Sequence, residues 1–125
     1  MKIGILGGGQ LGFMTILRGT YMGLEFNVLD KSFDISASKT GAKIFTFENY
    51  KQFYNESDII TFEFEHIPLE IVEYVKDKLK PSFEVFYLKQ ERIREKEFLK
   101  KNNFPVAKFY KADNGNQAIE IIKEN

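Results

Sequence analysis

The chain switches repeatedly between two hydrophobic rhythms. Short apolar runs at residues 2–6, 26–29, 44–47 and 58–64 read as strands, and the segments between them carry apolar residues at helical spacing. In residues 10–22 those positions are Leu11, Met14, Leu17 and Tyr21, with Gly23 as the stop signal. Residues 49–55 predict a helix that turns Tyr50, Phe53 and Tyr54 inward, and Pro68 opens another that runs to about Leu79. A short helix over Ile35 and Ala37 is expected within residues 32–43. Strands alternating with helices predict an α/β fold, a mostly parallel sheet covered by helices.

Pro81 and Ser82 punctuate the chain. Beyond them the pattern predicts a short strand near Val85, a charged helix over 89–101, a strand-like stretch over 104–110 and a helix from about Asn116. The domain boundary is placed between Leu79 and Gln90, giving a first domain over 1–85 and an incomplete second region over 86–125. Two elements after Pro105 cannot close a domain, so the chain is expected to be the amino-terminal part of something longer.

Composition narrows the class. Of 125 residues, 43% are hydrophobic and 15% aromatic, enough for a packed core and against disorder. Lys and Arg total 18, as do Asp and Glu, so no net field draws nucleic acid or an anionic membrane surface. The absence of cysteine removes a disulfide framework, a thiolate metal site and a cysteine nucleophile. No apolar run approaches a membrane span, and Met1-Lys2 leads directly into a strand rather than a signal peptide. A cytoplasmic location is the expectation.

Two segments carry candidate chemistry. Gly7-Gly8-Gly9-Gln10-Leu11-Gly12 follows the first strand and opens the first helix. Glycine there lets bare amides approach a phosphate, so the amides around Gly9, Gln10 and Leu11 are candidate phosphate ligands. Gly7, Gly9 and Gly12 also fit the dinucleotide fingerprint, and Asp30 stands where such an enzyme places its ribose carboxylate. The plain alternative is that glycine merely allows close helix–strand packing.

The second segment is Thr61-Phe62-Glu63-Phe64-Glu65-His66. Strand alternation puts Thr61, Glu63 and Glu65 on one face. Carboxylates are tolerable there only at the strand's carboxyl end, where open α/β sheets hold ligands. Glu63 and Glu65 are therefore candidates to accept hydrogen bonds from hydroxyls or an amine; an edge strand with a solvated acidic face is the alternative. His66 reads as a loop or solvent-facing residue, and no zinc site is assigned. The charged run Gln90–Glu97 reads by itself as a solvated helix face.

Three segments resemble 5-(carboxyamino)imidazole ribonucleotide synthase: Gly7 through Met14, Thr61 through Pro68, and Gln90-Glu91-Arg92 with Lys96, Phe98-Leu99 and Phe104-Pro105. The resemblance implies a Rossmann-like pre-ATP-grasp domain followed by the first elements of an ATP-grasp region. It also implies a purine-biosynthesis ligase that uses ATP and magnesium to activate bicarbonate and carboxylate 5-aminoimidazole ribonucleotide. On that reading Gly9, Gln10 and Leu11 bind the ribonucleotide phosphate. Glu63 contacts the ribose or amine with Glu65 in support, and Arg92 approaches ATP. The magnesium ligands are expected beyond residue 125, no catalytic residue falls within the chain, and the full-length family member is expected to be a homodimer. Phe13 replaces a common arginine and Glu91 a common aspartate.

Two other assignments stay open. A formate-dependent glycinamide ribonucleotide transformylase shares the turn, although Gln10 and Phe62 favour the carboxylating enzyme. An NAD-dependent oxidoreductase explains the glycines and Asp30, but not the paired glutamates or the segment after Gln90. Biotin carboxylase fits less well because its turn lacks the Gln-Leu-Gly pattern. A non-enzymatic nucleotide sensor is a further possibility.

Overall fold

The buried strands set the architecture, and the computed structural model describes residues 1–124. Four parallel strands, β1 (Lys2–Leu6), β2 (Glu25–Asp30), β3 (Lys43–Thr46) and β4 (Ile59–Phe62), form one sheet in the order β3-β2-β1-β4. The chain runs from β1 to β2 and β3 on one side, then crosses to β4 on the other. The connections thus reverse at β1, the position where open α/β sheets form their ligand crevice. Register carries Leu6 opposite both Leu29 and Phe62, so the carboxyl ends of three strands finish together.

Each sheet face has its own core, as strand alternation requires. One holds Leu6, Leu29, Phe45, Phe53, Ile60, Val72 and Phe86, while the other holds Ile5, Ile16, Phe26, Val28 and Ala37. Helix α1 (Gln10–Tyr21) and a 3-10 turn (Ser36–Thr40) belong to the second face, and α2 (Tyr50–Glu56), α3 (Leu69–Tyr74) and α4 (Phe83–Gln90) contribute to the first. Gly4 makes the α2 contact possible, since a Cβ there would lie 2.6 Å from Phe53 Cζ and 2.9 Å from Ser57 Oγ. Buried Asn27 donates to the Glu56 carbonyl at 2.8 Å, so the polar group beneath α2 is satisfied. Lys78 holds the end of α2 by donating to the Tyr54 and Ser57 carbonyls at 2.8 and 2.7 Å.

Several expectations need correction. Helix α1 forms where the spacing of Leu11, Met14, Leu17 and Tyr21 predicts it, but those residues are exposed, whereas Gly12, Ile16 and Gly19 are buried. Close approach decides the buried face, because Gly19 leaves room for the Phe26 ring. The outward residues leave a shallow cavity of about 710 Å³ lined partly by Met14, Arg18, Met22 and Ile59.

No strand forms near Val85. The Ser82 carbonyl accepts from the Val85 and Phe86 amides, and the resulting helix places Phe86 edge-on to Phe62 with centroids 5.0 Å apart. β4 stops at Phe62 rather than Phe64, and α3 ends at Tyr74, after which Leu79 bridges to Ile60. The chain falls into two compact units, 1–87 and 88–125.

The second unit contains α5 (Arg92–Lys101) and α6 (Gly115–Glu124). The predicted charged helix is interrupted at Glu91, whose backbone is extended and caps α5. Residues 104–112 form no strand, having no ladder partner among the described residues.

Gly4→Ala should destabilise the first unit by about 1–3 kcal/mol, because the new methyl group enters a filled core. Urea unfolding measures this, and an unchanged midpoint would show that the α2 contact relaxes freely.

Candidate phosphate-binding turn

β1 ends at Leu6, and the chain turns through three glycines into α1. Gly7 has φ +97°, and a Cβ on it would lie 2.6 Å from that of Phe64, so both conformation and space require glycine. Its amide donates to the Leu29 carbonyl at 2.9 Å.

The next two amides are taken by carboxylates on either side of β1, one at the end of β2 and one just past β4. Gly8 N–H donates to Asp30 Oδ2 at 2.7 Å, and Gly9 N–H donates to Glu63 Oε1 at 2.9 Å. Gly8 is buried, so losing Asp30 would leave its amide without a partner in a place water reaches poorly. The other Asp30 oxygen accepts from Lys31 N–H at 2.6 Å. Ala37 N–H donates to the Gly8 carbonyl at 2.9 Å and ties the 3-10 turn to the glycines.

Glycine spacing has a second consequence. A Cβ on Gly7, Gly9 or Gly12 would lie 3.2, 3.1 or 3.5 Å from Glu63 Oε1. Gly7 and Gly9 therefore make room for the Glu63 side chain, while Gly12 is bare because a Cβ there would press on the Gly7 carbonyl at 3.0 Å. The following amides, of Gln10, Leu11 and Gly12, have no partner among the described residues, and α1 has no side-chain cap. They point from the positive end of a helix and are available to an anion.

Strand alternation would have put Glu63 and Glu65 side by side, but β4 ends at Phe62 and the rule ends with it. Glu63 turns into the glycine slot, while Glu65 stands half-buried further along the connection to α3. His66 is exposed and packs edge-on against Phe64 at 5.1 Å.

Phe13 lines a cavity of about 300 Å³ with Gln10, Met14, Ser36 and Lys39. Ser36 and Lys39 had no sequence signal of their own, because only the fold brings the 3-10 turn to α1. Asp30 was legible as a carboxylate at a strand end, but not as the partner of Gly8.

Arg92 lies in the second unit, at the start of α5, and pairs with Glu95 at 2.7 Å. Its side chain is 76% exposed, so this pair contributes little to stability. The Lys89 ammonium, hydrogen-bonded to Glu95, holds that carboxyl below the usual glutamate range, with Arg92 adding to the effect. Arg92, Lys96, Tyr110 and Lys111 share a cavity of about 530 Å³. Among the described residues no three His, Asp or Glu gather into a cluster able to hold a metal ion.

A parallel α/β sheet with a glycine turn and a free helix amino terminus at its switch point defines the class of domains that hold phosphorylated ligands. Within that class, residues 1–88 match the model of the ribonucleotide synthetase preATP-grasp domain, and the chain belongs to that family.

The N5-carboxyaminoimidazole ribonucleotide synthase of Saccharolobus solfataricus is 42% identical over 98% of this chain and 34% of its own length. The crystal structure of the phosphoribosylaminoimidazole carboxylase ATPase subunit from Aquifex aeolicus superposes with a TM-score of 0.81 at 45% identity, over 86% of this chain and 33% of that one. The Aspergillus clavatus N5-carboxyaminoimidazole synthase, solved with ADP and 5-aminoimidazole ribonucleotide, gives 0.80 at 26% identity, over 98% and 35%. The family resemblance read from the three motifs is thereby borne out. The chain spans about a third of the length of the curated relatives it matches.

Asp30→Ala should cost about 1–3 kcal/mol through the orphaned Gly8 amide. Urea unfolding gives the energy, and faster hydrogen exchange at Gly8 gives the location. Unaltered exchange there would contradict the assigned role.

Proposed function

We propose that the chain supplies the ribonucleotide-holding part of a carbon–nitrogen ligase of purine biosynthesis. The ligase carboxylates 5-aminoimidazole ribonucleotide at the expense of ATP. The observation that carries the proposal is the turn itself, with free amides at Gln10 and Leu11 beside a carboxylate at Glu63. A ligand with a phosphate at one end and hydroxyl or amine donors nearby satisfies both. The phosphate seats on the amides of Gly9, Gln10 and Leu11, with Gly9 reached only when Glu63 gives up its bond. The second oxygen of Glu63 accepts from the ribose or the amine, and Glu65 supports that contact. Arg92 approaches ATP.

In the full reaction the γ-phosphoryl group of ATP passes to bicarbonate, releasing ADP. The amine then attacks the activated carboxyl carbon, and phosphate departs. This chain's part is to bind and orient the acceptor, which lowers the barrier by fixing the amine in place. No phosphoryl-transfer residue is assigned to it, and magnesium is expected to be held by residues outside it. Residues 86–125 then form the linker helix and start of the ATP-grasp region, and the full-length protein is a cytoplasmic homodimer. ADP and ATP in the family's solved structures support the nucleotide assignment. Asp30 accepts from the Gly8 and Lys31 amides and so supports the turn itself.

At full natural length, the protein should release ADP from ATP with magnesium, bicarbonate and 5-aminoimidazole ribonucleotide, and Glu63→Ala should lower kcat/KM roughly 10–100-fold. Release only with formate and glycinamide ribonucleotide would move the assignment to the transformylase. No release with either pair would contradict the ligase reading.

A further inference from the structure

Glu63 already occupies the ligand's side of the turn. Its Oε1 accepts from Gly9 N–H at 2.9 Å, and the bare Cα positions of Gly7, Gly9 and Gly12 surround the same oxygen. An incoming phosphate meets a carboxylate bonded to an exposed glycine amide immediately before the free amides of Gln10 and Leu11. Two anions on adjacent amides repel each other, and a bare phosphate returns nothing to Glu63 for the disturbance. A sugar phosphate differs, because its hydroxyl hydrogens can bond to the carboxylate while its phosphate takes the amides.

We infer that Glu63 is a specificity-determining residue that rejects simple anions from the glycine turn and admits phosphates carrying hydroxyl or amine donors. This rests on the phosphate seat proposed above and extends it: the glycine slot serves discrimination as well as binding. Asp30 accepts from the amides of Gly8 and Lys31, one residue further than Gly9 from the free amides of Gln10 and Leu11. Selectivity of this kind suits a site whose ligand competes with abundant inorganic phosphate. Much of it comes from penalising the wrong ligand.

The test compares inorganic phosphate with ribose 5-phosphate on the 125-residue chain, following backbone amide shifts of residues 9–12 by NMR. Native chain should bind ribose 5-phosphate more tightly than phosphate. Glu63→Gln keeps an acceptor for Gly9 but removes the charge, and it should bind inorganic phosphate several-fold more tightly. Glu63→Ala frees the amide altogether and should collapse the preference for the sugar phosphate by roughly tenfold. Glu48→Gln, an equal charge change at an exposed site, should alter neither affinity.

If ribose 5-phosphate moves these amides in the native chain and folded Glu63→Ala gains no phosphate affinity, the discrimination is wrong while the seat stands. If neither ligand moves them in any variant, the seat fails and the inference fails with it. Native-like dispersion of the remaining amide signals distinguishes either result from misfolding.

Discussion

Everything at the switch point depends on two carboxylates accepting hydrogen bonds from consecutive backbone amides. A turn of three glycines is entropically expensive to order, and a tight strand-to-helix reversal leaves its amides without ladder partners. Leu29, Asp30 and Glu63 supply one acceptor each to Gly7, Gly8 and Gly9. Those acceptors come from β2 on one side and the end of β4 on the other, so the turn is correct only when three strands are in register. Local order at the site is thus a property of the sheet, and α1 starts where that support ends.

This arrangement explains how one short segment reads both as a dinucleotide fingerprint and as a ribonucleotide turn. Gly7 is required by its positive φ and by Phe64, and a Cβ on Gly12 would press on the Gly7 carbonyl at 3.0 Å, whereas Gly9 leaves room only for the tip of Glu63. What differs is the use of the neighbouring acids. Asp30 accepts from Gly8 and Lys31, and Glu63, from the far side of β1, accepts from Gly9 next to the free amides. Family membership and the turn's chemistry both support the proposed ribonucleotide seat.

Much of the fold was legible because strong signals are local. β1, the glycine turn, the α1 stop at Gly23 and the inward Phe53 follow from apolar runs, missing side chains and spacing. The misread parts depend on tertiary contacts. The buried face of α1 is carried by Gly12, Ile16 and Gly19, and glycine gives no hydrophobic signal, so the outward series of Leu11, Met14, Leu17 and Tyr21 dominated the pattern. Val85 suggested a strand, but Phe86 needed a helical turn to reach Phe62. Glu63 was legible as a carboxylate near the crevice. Its bond to Gly9 was not, because alternation stops being a guide where β4 stops.

The most direct measurement is a crystal structure of the chain grown with 5-aminoimidazole ribonucleotide. The account predicts phosphate oxygens on the amides of Gln10 and Leu11 and a ribose hydroxyl or the amine on Glu63, with Asp30 still bonded to Gly8. A phosphate bound elsewhere, or a ribose held by Asp30 with Glu63 untouched, would contradict it.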